Sequence, residues 1–125
     1  MTSGSSTGPR YALVVDDNPH AAAVSRALLE AAGWVVEWAS DGFEAILRFR
    51  ARSYGALVLD YCLPGMDGVD VLAWVRRNLA DAPEVVVVSS ECRDFLKQRF
   101  DGMGVRAILS KPLVAADLVR ALEAA

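Results

Sequence analysis

The chain has 125 residues, of which 54% are hydrophobic and 23% are charged, and its formal net charge is −3 at pH 7. This length suits one compact domain, and the apolar content is sufficient for a core without disulfides or a structural metal. The negative charge argues against direct nucleic-acid binding, which usually needs a concentrated cationic face, and we expect no room for a second, output domain.

The terminal region and the apolar runs argue against secretion and membrane insertion. No apolar run approaches the roughly 20 residues of a membrane span. Residues 1–9 are rich in Ser, Thr and Gly and lack the apolar stretch of a secretion signal, so we expect a mobile tail followed by one domain over residues 10–125. Cys62 and Cys92 have no CxxC spacing, which indicates reduced thiols in a cytoplasmic protein.

Short apolar runs alternate with amphipathic stretches along the chain. The runs predict five strands: Tyr11–Val15, Trp34–Ala39, Ala56–Leu59, Val85–Val88 and Val105–Leu109. The first, third and fourth are almost purely apolar, which is typical of strands buried on both faces of a parallel sheet. The second and fifth contain Glu37 and Arg106, and because a charge is easier to place at a sheet edge, we expect these two strands to be the edges.

Helix signals lie between the predicted strands. Asn18 is a cap followed by Pro19 at the first helical position, and Gly33 ends this helix. Asp41 and Glu44 have the spacing of a capping box at the start of a second helix. The three remaining helices are predicted to begin near Asp67, to run from about Arg93 to Phe100, and to follow Pro112.

The predicted elements therefore alternate, with one strand followed by one helix, five times in all. Strict alternation with helical crossovers indicates an α/β fold with a parallel sheet covered by helices on both faces. We predict a flavodoxin-like (βα)5 domain with strand order 2-1-3-4-5. That order places strands two and five at the edges, in agreement with the positions of their charges.

Polar side chains follow the central strands at their carboxyl ends, where open α/β sheets bind ligands. They are Asp16 and Asp17 after strand one, Asp60 after strand three, Ser89 after strand four and Lys111 after strand five. Because these strands are neighbours, the side chains should converge. Three adjacent carboxylates repel one another, and Mg²⁺ with its preference for carboxylate and water oxygens would remove that repulsion.

Carboxylates, Mg²⁺, a lysine and a hydroxyl together can hold a phosphoryl group, whose transfer depends on positioning and charge neutralisation. An aspartate can itself be the nucleophile and form an acyl phosphate. Asp60 is the candidate because it ends a central strand. Asp16 and Asp17 would hold the metal, while Ser89 and Lys111 would contact the phosphoryl oxygens.

Four motifs resemble those of response-regulator receiver domains of bacterial two-component signalling. They are VVDD ending at Asp17, LDYCLPGMDG around Asp60, VVVVSS at the end of the fourth predicted strand and LSKPL around Lys111. The resemblance extends from Arg10 to about Ala124. It implies a phosphorelay switch of the stand-alone, single-domain type, to which a histidine kinase or histidine phosphotransfer protein donates the phosphoryl group.

The resemblance also implies a role for each matching acidic residue. Asp60 would be the phosphorylated aspartate. Asp17 would bind Mg²⁺ directly, and Asp16 would act on it through water. The backbone carbonyl of Cys62 would be the third metal contact. The same resemblance places Cys62 and Glu91 beside the attacking water, where they would influence the lifetime of the acyl phosphate.

Around the phosphoryl group, the resemblance makes Ser89 the switch hydroxyl, with an ambiguity of one residue because Ser90 follows it. Lys111 would pair with the phosphoryl oxygens and would precede a cis peptide bond to Pro112. Ile108 departs from the family pattern, which often has Tyr or Phe three residues before the lysine. We therefore expect a smaller conformational change at strand five on activation, or a switch carried by Ser89 and the Arg93–Phe100 helix alone.

A downstream protein would then read the face formed by helix four, strand five and helix five, with no direct role for nucleic acid or a membrane. We expect no enzyme activity beyond the domain's own phosphorylation and dephosphorylation. Two alternatives are a Mg²⁺-dependent aspartyl-phosphate phosphohydrolase and a pseudo-receiver that serves only as an interaction domain. The adjacent Asp16 and Asp17, in place of a DxD spacing, disfavour the first, and the complete acceptor site disfavours the second.

Overall fold

The computed structural model describes residues 8–123. Most of the predicted N-terminal tail, residues 1–7, lies outside the described residues, as do residues 124–125. Strands and helices alternate along the described chain. They are β1 (Tyr11–Val15), α1 (Pro19–Ala31), β2 (Val35–Ala39), α2 (Gly42–Ala51), β3 (Ala56–Leu59), α3 (Gly68–Asn78), β4 (Glu84–Ser89), α4 (Arg93–Arg99), β5 (Ala107–Ser110) and α5 (Ala115–Glu123).

The five strands form one parallel sheet in the order β2-β1-β3-β4-β5. The predicted fold and strand order are therefore confirmed, with β2 and β5 at the edges. The register pairs Val15 with Leu59, Leu59 with Val87, and Ser89 with Ser110. This register brings the carboxyl ends of the strands together along one edge of the sheet.

Two apolar clusters cover the two faces of the sheet, because successive side chains of a strand point to opposite faces. On one face, Leu13 and Leu57 pack with Phe49 of α2 and with residues of α3 and α4. On the other face, Val14 and Val58 pack with helices α1 and α5. None of the helices in residues 8–123 is long and apolar enough to cross a membrane.

The charges of the two edge strands are paired. Glu37 on β2 accepts a hydrogen bond from the Tyr54 hydroxyl and lies 3.3 Å from the Arg52 guanidinium. Burial, followed by the hydrogen bond to Glu37, raises the pKa of Tyr54. Arg106, just before β5, lies 2.7 Å from the Glu84 carboxylate. An edge position thus lets each charge reach a partner without entering the core.

Helix caps fix the loops near the carboxyl edge. The Asn18 side chain accepts hydrogen bonds from two backbone amides at the start of α1, as the sequence predicts. Asp41 accepts one from the Glu44 amide, but the Glu44 carboxylate reaches back to the Ser40 amide at 2.7 Å, one residue before the position of a capping box. Asp67 caps α3 with a complete capping box.

Two strands start later than predicted. The Trp34 amide donates to the Leu29 carbonyl at 3.1 Å and so still belongs to the end of α1, which makes Val35 the first residue of β2. β5 begins at Ala107, two residues after the predicted Val105. These shifts leave the polar residues at the carboxyl ends of the strands in place.

Candidate functional site

Three carboxylates meet at the carboxyl edge of the two central strands β1 and β3. The Asp16 amide donates to the Ala39 carbonyl at 3.1 Å, and the Asp60 amide donates to the Val15 carbonyl at 2.9 Å. These bonds extend the sheet by one residue and fix both backbones. One oxygen from each of Asp16, Asp17 and Asp60 lies within 4.8 Å of the others. Asp16 and Asp60 are buried, whereas Asp17 is exposed.

The Lys111 ammonium lies against this cluster. Its Nζ donates to Asp16 Oδ2 at 2.8 Å and to Asp60 Oδ2 at 3.2 Å. The Lys111 amide donates to the Ser89 carbonyl, and the peptide bond from Lys111 to Pro112 is cis, as the resemblance implies. Burial lowers the pKa of Lys111, but the hydrogen bond to Asp16 and the Asp60 charge outweigh it, so the pKa is raised and the lysine stays protonated.

The electrostatics of the cluster favour a further cation. Burial raises the pKa of Asp60, the Lys111 charge opposes that effect, and the Asp16 charge adds to it. One lysine therefore leaves the three carboxylates undercompensated. Among residues 8–123, the Asp17 carboxylate accepts no hydrogen bond, so its oxygens are open to a ligand. An all-oxygen donor set of this kind fits Mg²⁺.

Ser89 is the last residue of β4, and its side chain is buried, while Ser90 is exposed. The Ser89 Oγ accepts a hydrogen bond from the Glu91 amide at 3.2 Å. The structure therefore places Ser89, rather than Ser90, at the carboxyl end of a central strand. Within the described residues, the Ser89 hydroxyl makes no hydrogen bond to Asp60 or Lys111.

Cys62 and Glu91 face one another across the mouth of the site. The Cys62 amide donates to Asp60 Oδ1 at 3.3 Å, and the Cys62 thiol lies 3.7 Å from Glu91 Oε2. Burial and the Glu91 charge raise the pKa of Cys62, which keeps the thiol protonated. Ile108 lies farther back on β5, half-buried and packed against the apolar cluster on the α4 side of the sheet.

Two contacts to the site were not predicted from the sequence. The Trp38 indole Nε1 donates to the Asp16 backbone carbonyl at 2.8 Å. The Tyr61 hydroxyl, next to Asp60, accepts a hydrogen bond from Arg99 Nε on α4 at 3.2 Å.

The Tyr61 ring also joins the loop that follows Asp60 to α4. Its centroid lies 5.7 Å from that of Phe95 and 6.1 Å from that of Phe100, with both pairs edge-on. Arg99 lies 3.4 Å from Asp67, the cap of α3. The helical spacing of Phe95 and Arg99 puts them on one face of α4. In the sequence, the only signal for this contact is an aromatic residue directly after Asp60.

Comparisons with known proteins agree on one family. The family model described as "Response regulator receiver domain" matches residues 12–123. The transcriptional regulatory protein TrcR of Mycobacterium tuberculosis is 34% identical over 116 residues, which cover 91% of this chain and 44% of TrcR. The autoinducer 2 sensor kinase/phosphatase LuxQ of Vibrio cholerae is 30% identical over 111 residues, covering 89% of this chain and 13% of LuxQ.

Comparison with solved structures identifies the same fold. A response regulator signal receiver domain from Bermanella marisrubri superposes with a TM-score of 0.78 at 31% identity, covering 90% of this chain and 93% of that one. The chain spans about half the length, or less, of the curated relatives it matches.

Proposed function

The chain belongs to the response regulator receiver domain family of two-component signalling, and from that premise we propose that Asp60 accepts a phosphoryl group from a histidine kinase or histidine phosphotransfer protein in the cytoplasm. One observation carries the proposal. Three carboxylates at the carboxyl edge of the sheet have oxygens within 4.8 Å of one another, and Lys111 pairs with two of them, Asp16 and Asp60. This arrangement suits the capture of a cation and a phosphoryl group together.

The hydrogen bonds favour Asp60 over Asp16 as the acceptor. Both oxygens of Asp16 are engaged at short distances, by the Asn18 amide at 2.9 Å and by Lys111 at 2.8 Å. The corresponding bonds of Asp60 are longer, at 3.3 Å to the Cys62 amide and 3.2 Å to Lys111. Asp60 therefore loses weaker hydrogen bonds than Asp16 would when one of its oxygens becomes bonded to phosphorus.

In the proposed step, an Asp60 carboxylate oxygen attacks the phosphorus of a phosphohistidine. The new O–P bond forms as the N–P bond breaks, and the donor imidazole keeps the electron pair of that bond. Lys111 already lies 3.2 Å from Asp60 Oδ2 and would pair with the incoming phosphoryl oxygens. When bound, Mg²⁺ would supply charge neutralisation, held by Asp17, Asp60, the Cys62 backbone carbonyl and, through water, Asp16.

Phosphorylation would replace the Asp60 carboxylate with an acyl phosphate that carries a charge of about −2 and competes with Asp16 for Lys111. We propose that the change reaches the face formed by α4, β5 and α5, which a downstream protein reads. Ile108 has no ring to exchange between core and solvent, so the change at β5 should be small. Ser89 and the Tyr61 contacts to α4 would then transmit most of it.

The decisive experiment is phosphorylation by acetyl phosphate in the presence and absence of Mg²⁺, followed by intact-protein mass spectrometry. We expect one phosphoryl group on the wild type with Mg²⁺, none on Asp60→Asn, and wild-type labelling on Asp101→Asn, a matched change at an exposed loop residue. Equal labelling of Asp60→Asn would refute the assignment. Absence of labelling in every variant would support the pseudo-receiver, and multiple turnover on small phosphate esters would support the phosphohydrolase.

The expectation for Ile108 has its own test. Amide chemical shifts are recorded with Mg²⁺, with and without beryllofluoride as a phosphoryl mimic. We expect larger changes around Ser89 and α4 than around Ile108. Changes around Ile108 as large as those around Ser89 would show that β5 takes a full part in the switch.

A further inference from the structure

We propose that Trp38 is a positioning residue for the acidic loop, residues 16–18, which carries the proposed metal ligands Asp16 and Asp17. This inference rests on the function proposed above. Its indole Nε1–H donates to the Asp16 backbone carbonyl at 2.8 Å. That carbonyl belongs to the peptide unit between Asp16 and Asp17. The bond therefore holds the orientation of the peptide that leads into the proposed direct metal ligand.

The second peptide flanking Asp17 is held as well. The Asn18 amide, which belongs to the peptide unit between Asp17 and Asn18, donates to Asp16 Oδ1 at 2.9 Å. The Asp16 amide itself donates to the Ala39 carbonyl of β2 at 3.1 Å. Because the Asp17 side chain accepts no hydrogen bond within residues 8–123, the two peptide planes determine where its Cβ lies and so which rotamers can direct the carboxylate into the site. Trp38 fixes one of them.

Trp38 is well placed for this task. It pairs with Val14 in the register of β1 and β2, one position before the end of β2. Its ring is half-buried and lines an open groove of about 220 Å³ against Pro19, Ala22 and Ala23 of α1. The ring thus lies between the sheet edge and the helix that begins directly after the acidic loop. Phenylalanine would occupy much of the same space without the N–H donor.

The expected effect is moderate. A single neutral hydrogen bond of this kind corresponds to about a threefold to tenfold change in an equilibrium constant. The bond is already formed without the metal, so only the part that Mg²⁺ strengthens affects the affinity, and we expect Trp38→Phe to weaken Mg²⁺ binding by up to about that factor. By linkage, Mg²⁺ must strengthen the indole hydrogen bond by the same factor in the wild type.

The test is a Mg²⁺ titration followed by amide NMR shifts of Asp17 and Asn18 in the full chain. Trp74→Phe is the matched control, since Trp74 stacks on Phe49 in the α2–α3 layer. We expect wild-type affinity for Trp74→Phe and the weaker affinity for Trp38→Phe. A second measurement needs no variant: Mg²⁺ should slow solvent exchange of the Trp38 indole proton and leave that of Trp74 unchanged.

The outcomes separate this inference from the proposed function. If the wild type binds Mg²⁺ but Trp38→Phe binds it as tightly as Trp74→Phe does, Trp38 has no positioning role. If Trp38→Phe does not fold, indole exchange that Mg²⁺ leaves unchanged leads to the same rejection. If the wild type binds no Mg²⁺ at all, the proposed metal-dependent function fails, and the role of Trp38 fails with it.

Discussion

Asp17→Asn should stabilise the protein in the absence of divalent cations and abolish most of the stabilisation that Mg²⁺ provides. The side chain is exposed and, within residues 8–123, accepts no hydrogen bond, so an isosteric amide gives up no contact there. It does remove a charge that lies within 4.8 Å of carboxylate oxygens of both Asp16 and Asp60. Stability and function are therefore opposed at this position.

The magnitude follows from the geometry. Two unit charges 4.8 Å apart repel by about 0.9 kcal/mol in bulk water, and Asp17 has two such neighbours. Salt at 0.15 M screens roughly half of this repulsion. The Lys111 charge, which pairs with both Asp16 and Asp60, offsets about one of the two repulsions. Asp17→Asn should therefore raise the free energy of unfolding by about 0.5 kcal/mol, or the Tm by about 2 °C. Mg²⁺ at ten times its Kd should stabilise the wild type by about 1.4 kcal/mol, which reverses the order of the two proteins.

Urea unfolding with EDTA and with Mg²⁺ measures all four free energies. Asp101→Asn is the control, because this exposed residue lies outside the acidic cluster, and its effect on stability should be small and the same in EDTA and in Mg²⁺. If Asp17→Asn is less stable than the wild type in EDTA, the carboxylates do not repel one another as the geometry requires. If Mg²⁺ stabilises both proteins equally, Asp17 does not hold the cation.

Three further substitutions test other parts of the structure. Gly68→Ala should destabilise the domain by about 2 kcal/mol in urea unfolding, since its Cβ would lie 2.7 Å from the Asp60 carbonyl oxygen, whereas Gly8→Ala meets nothing within 4 Å and should be neutral. Burial, together with Glu37, raises the pKa of Tyr54, so its contribution is complete below pH 10 and declines above it. The stability difference between wild type and Tyr54→Phe should fall by up to about 1.4 kcal/mol per pH unit there, and a constant difference would contradict this. Tyr61→Leu removes the ring that contacts α4 and should reduce the amide shifts of α4 on beryllofluoride binding; undiminished shifts would exclude Tyr61 as the link.

The fold could be predicted from the sequence because its determinants are local. Apolar runs identify the central strands, and the charges of Glu37 and Arg106 identify the edges. At the β2 edge Glu37 reaches Arg52, and next to β5 Arg106 reaches Glu84 at the exposed start of β4. The buried positions of β3 and β4 carry no charge. The strand starts were less accurate, because the end of α1 extends its hydrogen bonding to Trp34 and no sequence pattern marks that bond.

The convergence of Asp16, Asp17, Asp60 and Lys111 was predictable for a topological reason. Parallel neighbouring strands end at one edge, so any polar residue that follows them is placed there by the register alone. The state of the Ser89 hydroxyl was not predictable in this way. Its partner is the Glu91 amide of the next loop, and the path of that loop depends on how α4 packs.

The contacts of Trp38 and Tyr61 were beyond sequence reasoning because each joins segments far apart in the chain through the polar end of an aromatic side chain. Apolar patterning assigns such rings to packing, which is correct for most of their surface. It does not predict the hydrogen-bond partner of the single polar group on the ring, although such a group usually has a partner when it is half-buried. The Trp38 indole donates to the Asp16 carbonyl, and the Tyr61 hydroxyl accepts from Arg99. One contact therefore ties β2 to the acidic loop, and the other ties the residue after Asp60 to α4, so the polar ends of two packing residues determine how the site is connected to the rest of the fold.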